Sequence, residues 1–399
     1  MNSQNLNINA YNYHLPKEKI AFFPCKNRDE SKLLVYKNGT ISETVFKQIP
    51  DYLDDNCMLV FNDTKVIQAR IVCFKPTGSR IELFCLEPYG MLHSVALAAK
   101  GSCKWKCFVG NNKRFTEPLT LEFNHKNENG VLHIEKTDIL PDTSFEIKFS
   151  WTPKELFFSE VLERVGKTPL PPYIRRDTTD EDTHRYQTVF AKEKGSVAAP
   201  TAGLHFTDEV LEKIRQKNIP IDSITLHVGA GTFKPVTETY IENHIMHAEQ
   251  FSFTKETVMN LLKNSDKRLL AVGTTTARAL ESLFWIGEKL ASHKGGDLHI
   301  PQWHDQNSAQ LTVTQSLEAV LFYMNQHKLN SLHASTSLMV TPYYQPKIVK
   351  GIITNFHQPK STLLLLISAF VGDKWKVIYQ YALDNDFRFL SYGDACLFW

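Results

Sequence analysis

No run of apolar residues in this sequence approaches the roughly 20 that a membrane-spanning helix requires. The longest, Leu363 to Phe370, is broken by Ser368, so no span is expected. An excess of charge of one sign is equally absent: 45 Lys and Arg stand against 43 Asp and Glu, a formal net charge of +2. Any nucleic-acid partner therefore has to be met by a local patch rather than by global attraction. Cysteine is sparse and odd in number, seven in 399 residues, and only Cys103 and Cys107 lie close together. Neither a disulfide framework nor a paired zinc knuckle follows, and reduced thiols are expected. The first residues, MNSQNLNINAYNYHLPKEKI, lack both the basic-then-apolar build of a signal peptide and the Arg/Ser bias of a transit peptide, which points to the cytoplasm. GxGxxG and GxxxxGKS/T are both missing, so neither a dinucleotide fingerprint nor a Walker A loop is expected.

What is present is an ordinary globular composition, 42% apolar and 22% charged, in a chain long enough for two domains or for one large domain with an insertion. From about Val66 to Phe149 it reads as short β-like pieces, RIELFCLE, HSVALAAK, KWKCFVG, LTLEF, GVLHIEK and FEIKF, separated by Gly, Asn and Pro turns. The flanks alternate short apolar strands with amphipathic helices, as in LLVY, MLVFND, SITLHVG, LLAVGTTTARALESL and GIITNFHQPKSTLLLLISAF. The economical expectation is a large α/β, barrel-like domain built from 1–65 and 150–399, discontinuous because a small all-β, barrel-like domain of 66–149 is inserted into it. The segment from Ile286 to Ser337, with one helix around Leu317 to Met324, reads as a further insertion.

Three strand-to-helix turns stand out, because unpaired N–H groups at a helix start carry partial positive charge and ligands of open α/β sheets collect there. In the first, LLAVG runs into Thr274, Thr275 and Thr276, a glycine followed by hydroxyls that suits a carboxylate or phosphate; plain N-capping is the blander explanation. In the second, Asn355, His357 and Lys360 stand at the end of a strand before a helix opened by Ser361 and Thr362. The third, SITLHVGAGTFKPV, has Gly229 and Gly231, where the backbone can approach a ligand closely. His205, His227, His244, His247 and His357 all fall in these polar stretches. The pair His244 and His247, three apart, is not the HExxH of a helical zinc site, and no metal is expected. Imidazoles that titrate near neutral pH suit general acid/base work instead.

The blocks GSVAAPTAGLHFT (Gly195 to Thr207), TLHVGAGTFKPV (Thr225 to Val236) and TNFHQPKSTLLLLISAF (Thr354 to Phe370) resemble, in wording and order, signature blocks of the S-adenosylmethionine:tRNA ribosyltransferase-isomerase family of queuosine biosynthesis. FNDTKVIQARI, PLPPYIRR, RYQTVFA, HIMHAE, VGTTTARALES and FRFLSYGDACL extend the resemblance over nearly the whole chain. It implies an enzyme without metal or redox cofactor that uses S-adenosylmethionine as co-substrate. Its ribosyl carbons go to 7-aminomethyl-7-deazaguanine in tRNA, giving epoxyqueuosine, while adenine and methionine leave. The sulfonium acidifies the neighbouring 5′ carbon, so a positioned base removes a proton and adenine is expelled; the neutral aminomethyl group then attacks the opened sugar.

On that resemblance His205, His227, His247 and Glu249 become acid/base candidates. Thr274, Thr275 and Arg278 are assigned to the methionine carboxylate, where a helix start and a guanidinium give charge-assisted bonds. Asn355, His357 and Lys360 are placed around the ribose or target base, with Asn62, Asp63 and Lys65 completing the pocket. Tyr173, Arg175, Arg176 and Arg185 supply stacking and phosphate groups for tRNA, and a monomer is expected. The sequence departs from the family at Tyr343, where glycine is usual, at Lys350, where an acid is common, at Gln358, where leucine is usual, and in the link from Ser282 to Pro342, which is longer than the family's. These changes keep open a paralogue that uses the same donor on another acceptor. A tRNA-binding protein without catalysis and, from the turns alone, a sugar-phosphate enzyme are the other readings.

Overall fold

The computed structural model describes 6–126, 128–141, 143–229, 236–292, 297–304 and 310–399. A ten-stranded sheet forms its centre, in the order His299–Ile300, Ser331–Thr336, Glu249–Thr254, Ile221–Leu226, Cys57–Asn62, Arg268–Val272, Val349–Asn355, Ala395–Phe398, Lys32–Lys37, Thr40–Val45. The four strands from Ile221–Leu226 to Val349–Asn355 run parallel. Every residue of Cys57–Asn62 is buried, as expected for a parallel strand covered on both faces. Alternate side chains then enter different cores: Met58, Val60 and Ala271 meet one set of helices, while Leu59, Phe61 and Leu270 face Asp208–Gln216. Helix Thr274–Ala291 is buried from Thr274 through Gly287, so it is apolar nearly all round rather than striped.

Pairing in this sheet is an open series, and the barrel-like closure expected for the α/β part is not seen among the described residues. Its two edges are protected in ordinary ways. His299–Ile300 has only two residues, and Thr40–Val45 is largely exposed and polar, both of which limit further pairing.

The β-rich middle forms a seven-stranded sheet in the order Gly166–Lys167, Arg70–Phe74, Arg80–Pro88, Ser102–Gly110, Phe145–Thr152, Glu128–Ile139, Leu119–His125. It has its own core, with Trp105, Phe149 and Trp151 packed on Phe158, Val161 and Leu162 of helix Phe158–Val165. The sheet therefore runs past the expected limit at 149, because its edge is completed by Gly166–Lys167 after that helix. HSVALAAK is not a strand: His93–Leu97 is a helix, with His93, Ala96 and Leu97 buried at helical spacing. The helix expected around Leu317 to Met324 is Val313–Gln326, opened by a Thr312–Gln315 capping box. The chain leaves the large sheet through Thr64–Val66 and returns through Glu193–Ser196, and these two strands pair with one another.

Candidate functional site

Three of the described cavities lie at the carboxyl ends of the parallel strands, where open α/β sheets bind ligands, and share lining residues. The first, about 80 Å³, is walled by Ala198–Ala202, Gly273–Thr275, Thr354–Gln358 and Tyr173. A constriction of about 10 Å³ carries Thr274, Thr275, Arg278 and Thr362. It leads to a cavity of about 590 Å³ between the two large sheets, with Arg278, His227, His247 and Glu249 on one side and His93, Lys106 and Phe108 on the other. Leu363 lines all three.

The helix start at the first cavity is open. Gly273 precedes it with φ of +99° and supplies no side-chain cap, a conformation only glycine adopts without strain. The hydroxyl of Thr276 is occupied, donating to Val272 O at 2.8 Å. Arg278, on the second turn, forms a buried ion pair with Glu249. Burial pushes the Arg278 guanidinium down to about 10, and its Nε–H has no hydrogen-bond partner among the described residues. Thr274, Thr275 and Arg278 are thus brought together as expected, but Arg278 already holds the carboxylate that was read as an acid/base group.

His227 is fixed by the two strands joining the sheets. Its Nδ1 lies 2.9 Å from Thr64 Oγ1, whose hydroxyl faces Glu193 O at 3.4 Å. With the Thr64 hydroxyl donating to Glu193 O, the tautomer that fits carries its proton on Nδ1 and its lone pair on Nε2; the opposite tautomer fits when Thr64 donates to Nδ1. Gly195 lies against the ring, and a Cβ there would meet it at 2.6 Å. The His93 ring is 5.0 Å away, and burial, with His93 second, pushes the His227 imidazole down to about 3. His93 itself is lowered by burial, and its Nδ1 is buried without a hydrogen-bond partner among the described residues. Sequence reasoning missed His93 because it lies in the β-rich middle, read as scaffold, within a piece mistaken for a strand.

His205 does not share a cavity with His227. Its Nδ1 faces Ser31 Oγ at 2.7 Å and its Nε2 accepts from Asn355 Nδ2 at 3.0 Å, while Asn355 Oδ1 accepts from Thr201 at 2.9 Å. Both ring nitrogens are committed, and burial, then the Arg388 charge, pushes the imidazole down to about 3. It braces Asn355, which lines the first cavity. His357 lines that cavity too, with Nε2 2.9 Å from Thr354 Oγ1, and burial pushes it down to about 3. Lys360 lines none of the described cavities; its backbone, at φ of +54°, is bonded to Tyr11 and Val236.

Asn62, Asp63 and Lys65 do not line the described cavities either. Asn62 is buried and ties the ends of two strands by bonding both N–H and C=O of Leu226. Asp63 accepts from Ser223 and Thr225, and burial raises its pKa. Lys65 is exposed. Asn62 Oδ1 also accepts from the Thr64 N–H at 3.2 Å, which holds Thr64 beside His227. Gly229 lines the large cavity, whereas Gly231, within 230–235, lies outside the described residues.

The intended tRNA group divides. Tyr173 lines the first cavity, its hydroxyl 2.5 Å from Ser391 Oγ, and burial pushes its pKa up to about 12. Arg176 makes a two-pronged pair with buried Asp182, at 2.6 and 2.7 Å, and Arg185 donates to the carbonyls of Cys25 and Lys26. Arg175 is exposed. Of the three substituted positions, only Gln358 lines a described cavity; Tyr343 is exposed and Lys350 donates to Lys347 O.

A family model described as "Queuosine biosynthesis protein" matches residues 8–398. A protein of Geotalea uraniireducens, named S-adenosylmethionine:tRNA ribosyltransferase-isomerase, is 39% identical over 396 residues, covering 98% of this chain and 99% of its own. One of the same name from Halothermothrix orenii is 37% identical over 398 residues, with 98% and 99% covered. A crystal structure of S-adenosylmethionine tRNA ribosyltransferase from Thermotoga maritima superposes with a TM-score of 0.47 at 25% identity, covering 97% of this chain and 99% of that one.

Proposed function

The chain belongs to the queuosine biosynthesis protein family, and from that premise we propose that its three linked cavities hold the reactants of an S-adenosylmethionine:tRNA ribosyltransferase-isomerase. The enzyme transfers and isomerises the ribosyl moiety of S-adenosylmethionine onto 7-aminomethyl-7-deazaguanine in tRNA, giving epoxyqueuosine-tRNA and releasing adenine and methionine. The observation that carries the site is the 590 Å³ cavity between the two sheets, within the usual range for small-molecule sites. It is continuous with an uncapped helix start and a buried guanidinium.

In this reading the methionine carboxylate sits at Thr274 and Thr275 with Arg278 beside it, where open N–H groups and a buried cation both favour an anion. The sulfonium and ribose extend into the large cavity. His227, neutral because it is buried, adds no repulsion to the sulfonium cation, and its Nε2 lone pair takes the proton from the 5′ carbon. His247 and Glu249 face the same space and serve later proton transfers to the leaving adenine and from the attacking amine. Asn355 and His357 bind the ribose or target base from the first cavity. The sulfonium already activates the carbon acid, so we assign no metal or redox cofactor.

We further propose a discontinuous catalytic domain carrying an inserted β domain, which the separate cores of the two sheets favour, and a cytoplasmic monomer. No helix among the described residues is long and apolar enough to cross a membrane. We keep the usual acceptor because two of the substituted positions, Tyr343 and Lys350, lie off the cavity walls, which leaves Gln358, on the wall of the first cavity, as the departure that bears on acceptor choice. Mixing the protein with S-adenosylmethionine and precursor-bearing tRNA should release adenine and methionine in equal amounts. Release that does not require the deazaguanine would exclude this acceptor.

A further inference from the structure

We infer that a groove beside the reaction cavity takes the nucleobase adjacent to the modified one in the RNA strand and stacks it on Phe84 and Phe108. This rests on the tRNA reading above. The groove has a volume of about 750 Å³ and lies between the outer face of the seven-stranded sheet and the 170–177 segment.

Strand alternation explains its floor. Leu83 and Cys85 point into the core of that sheet, so Phe84 points outward, and Cys107 does the same for Phe108. Phe84 is the register partner of Phe108 on one side and of Arg70 on the other. Three neighbouring strands thus place two aromatic rings in one row with the Arg70 guanidinium, which is ion-paired with Glu82; Glu82 and Asp177 also line the groove, so the cation left for a phosphate is Arg175. The outer face of an antiparallel sheet is ordinarily polar, whereas adjacent aromatics beside arginine form the kind of platform on which unpaired bases stack. Pro171 and Ile174 supply an apolar roof, and Arg175 stands exposed with no ion pair among the described residues.

Continuity decides the occupant. Phe108 lines both the groove and the 590 Å³ cavity, so a base in one and its neighbour in the other are consecutive steps of a single strand. A base that reacts inside a cavity has to be turned out of its stack, which leaves its neighbour exposed and in need of a new partner. A flat apolar slot with a cation at its rim provides both a stacking surface and a phosphate contact.

The test is a binding cycle with fluorescently labelled precursor-bearing tRNA and the same tRNA carrying an abasic site next to the deazaguanine. Phe84→Ala should weaken binding of the intact tRNA about 10-fold, within the roughly 5- to 160-fold range for one stacked base, and Phe84→Trp should restore it. The abasic site should weaken wild-type binding similarly and cost Phe84→Ala nothing further. Affinity for S-adenosylmethionine, measured by calorimetry on the same samples, should be unaltered. Arg175→Ala should reduce the salt dependence of binding by about one phosphate contact. Unchanged tRNA affinity in folded Phe84→Ala, or independent losses from the two changes, overturns the groove assignment while wild-type adenine release leaves the function standing. A wild-type protein that neither binds this tRNA nor releases adenine overturns both.

Discussion

His205 and His227 sit within 22 positions of each other and carry equally suggestive sequence contexts, but their surroundings give them different work. His227 has one ring nitrogen on Thr64 and opens on the large cavity, whereas both nitrogens of His205 are spent on Ser31 and Asn355. His227→Gln should therefore lower the single-turnover rate by about 10²–10⁴ with donor affinity retained, the usual loss for positioned proton transfer. His205→Gln should instead lower the melting temperature and reduce rate and donor affinity together, by loosening Asn355. A near-wild-type rate in His227→Gln would move the base to His247 or Glu249. The contrast could not be read from sequence because the decisive partner of His205, Ser31, is 174 positions away.

The same histidines set a pH dependence. His205, His227 and His357 are each held down to about 3 by burial, while an unfolded chain protonates them near 6.5. Between those values the unfolded state binds more protons, so stability is complete above about pH 6.5 and declines as pH falls toward 3. For the nearly enclosed His205 and His357 the slope approaches about 1.4 kcal/mol per pH unit each. Melting temperature should fall from pH 7 to pH 5, and less steeply in His205→Gln. A flat profile would mean that these imidazoles protonate freely in the folded protein.

At the scale of elements, helix Thr274–Ala291 organises the end of the site proposed for the donor. It is anchored away from the site by Glu281, which accepts from the N–H groups of Lys347, Ile348 and Val349 and from the Tyr344 hydroxyl. Tyr344 in turn accepts from Trp285 at 2.9 Å, so the tyrosine next to the missing family glycine has a structural duty. Arg278 couples this helix to strand Glu249–Thr254. Arg278→Ala removes the buried cation that faces the Glu249 carboxylate, which should cost about 3–5 kcal/mol of stability, besides the about 1.5–3 kcal/mol lost from donor binding. Adding Glu249→Ala should recover much of the stability and none of the donor affinity. Donor affinity unchanged by calorimetry in either folded variant would remove Arg278 from the carboxylate site. The glycine-and-hydroxyl turns were legible because helix starts write themselves locally in the chain. The ion pair was not, since it joins two such blocks through the fold.

At the scale of the molecule, the 590 Å³ cavity proposed for the reaction exists because the seven-stranded sheet faces the strand ends of the ten-stranded one. His227 is locked by Thr64 and Gly195, which belong to the paired strands where the chain crosses between the two. The alternation of strands and helices made the large sheet readable in advance. Nothing in a linear pattern shows which face of the inserted sheet meets it, so His93, Phe84 and Phe108 escaped notice. The proposed chemistry draws only on the sulfonium and on this chain's own groups, so activity should survive exhaustive chelation; loss restored only by one divalent ion would show that a metal takes part.

The central claim is that the ribosyl carbons of S-adenosylmethionine, not its methyl group, are moved to tRNA in this cavity. The direct measurement is single-turnover transfer from two donor samples, one labelled in the ribose and one in the methyl group, to precursor-bearing tRNA. Ribose label should appear on the tRNA and methyl label in free methionine, with transfer in His227→Gln slowed by about 10²–10⁴. Methyl label on the tRNA, or ribose label transferred at the wild-type rate by His227→Gln, would contradict the claim.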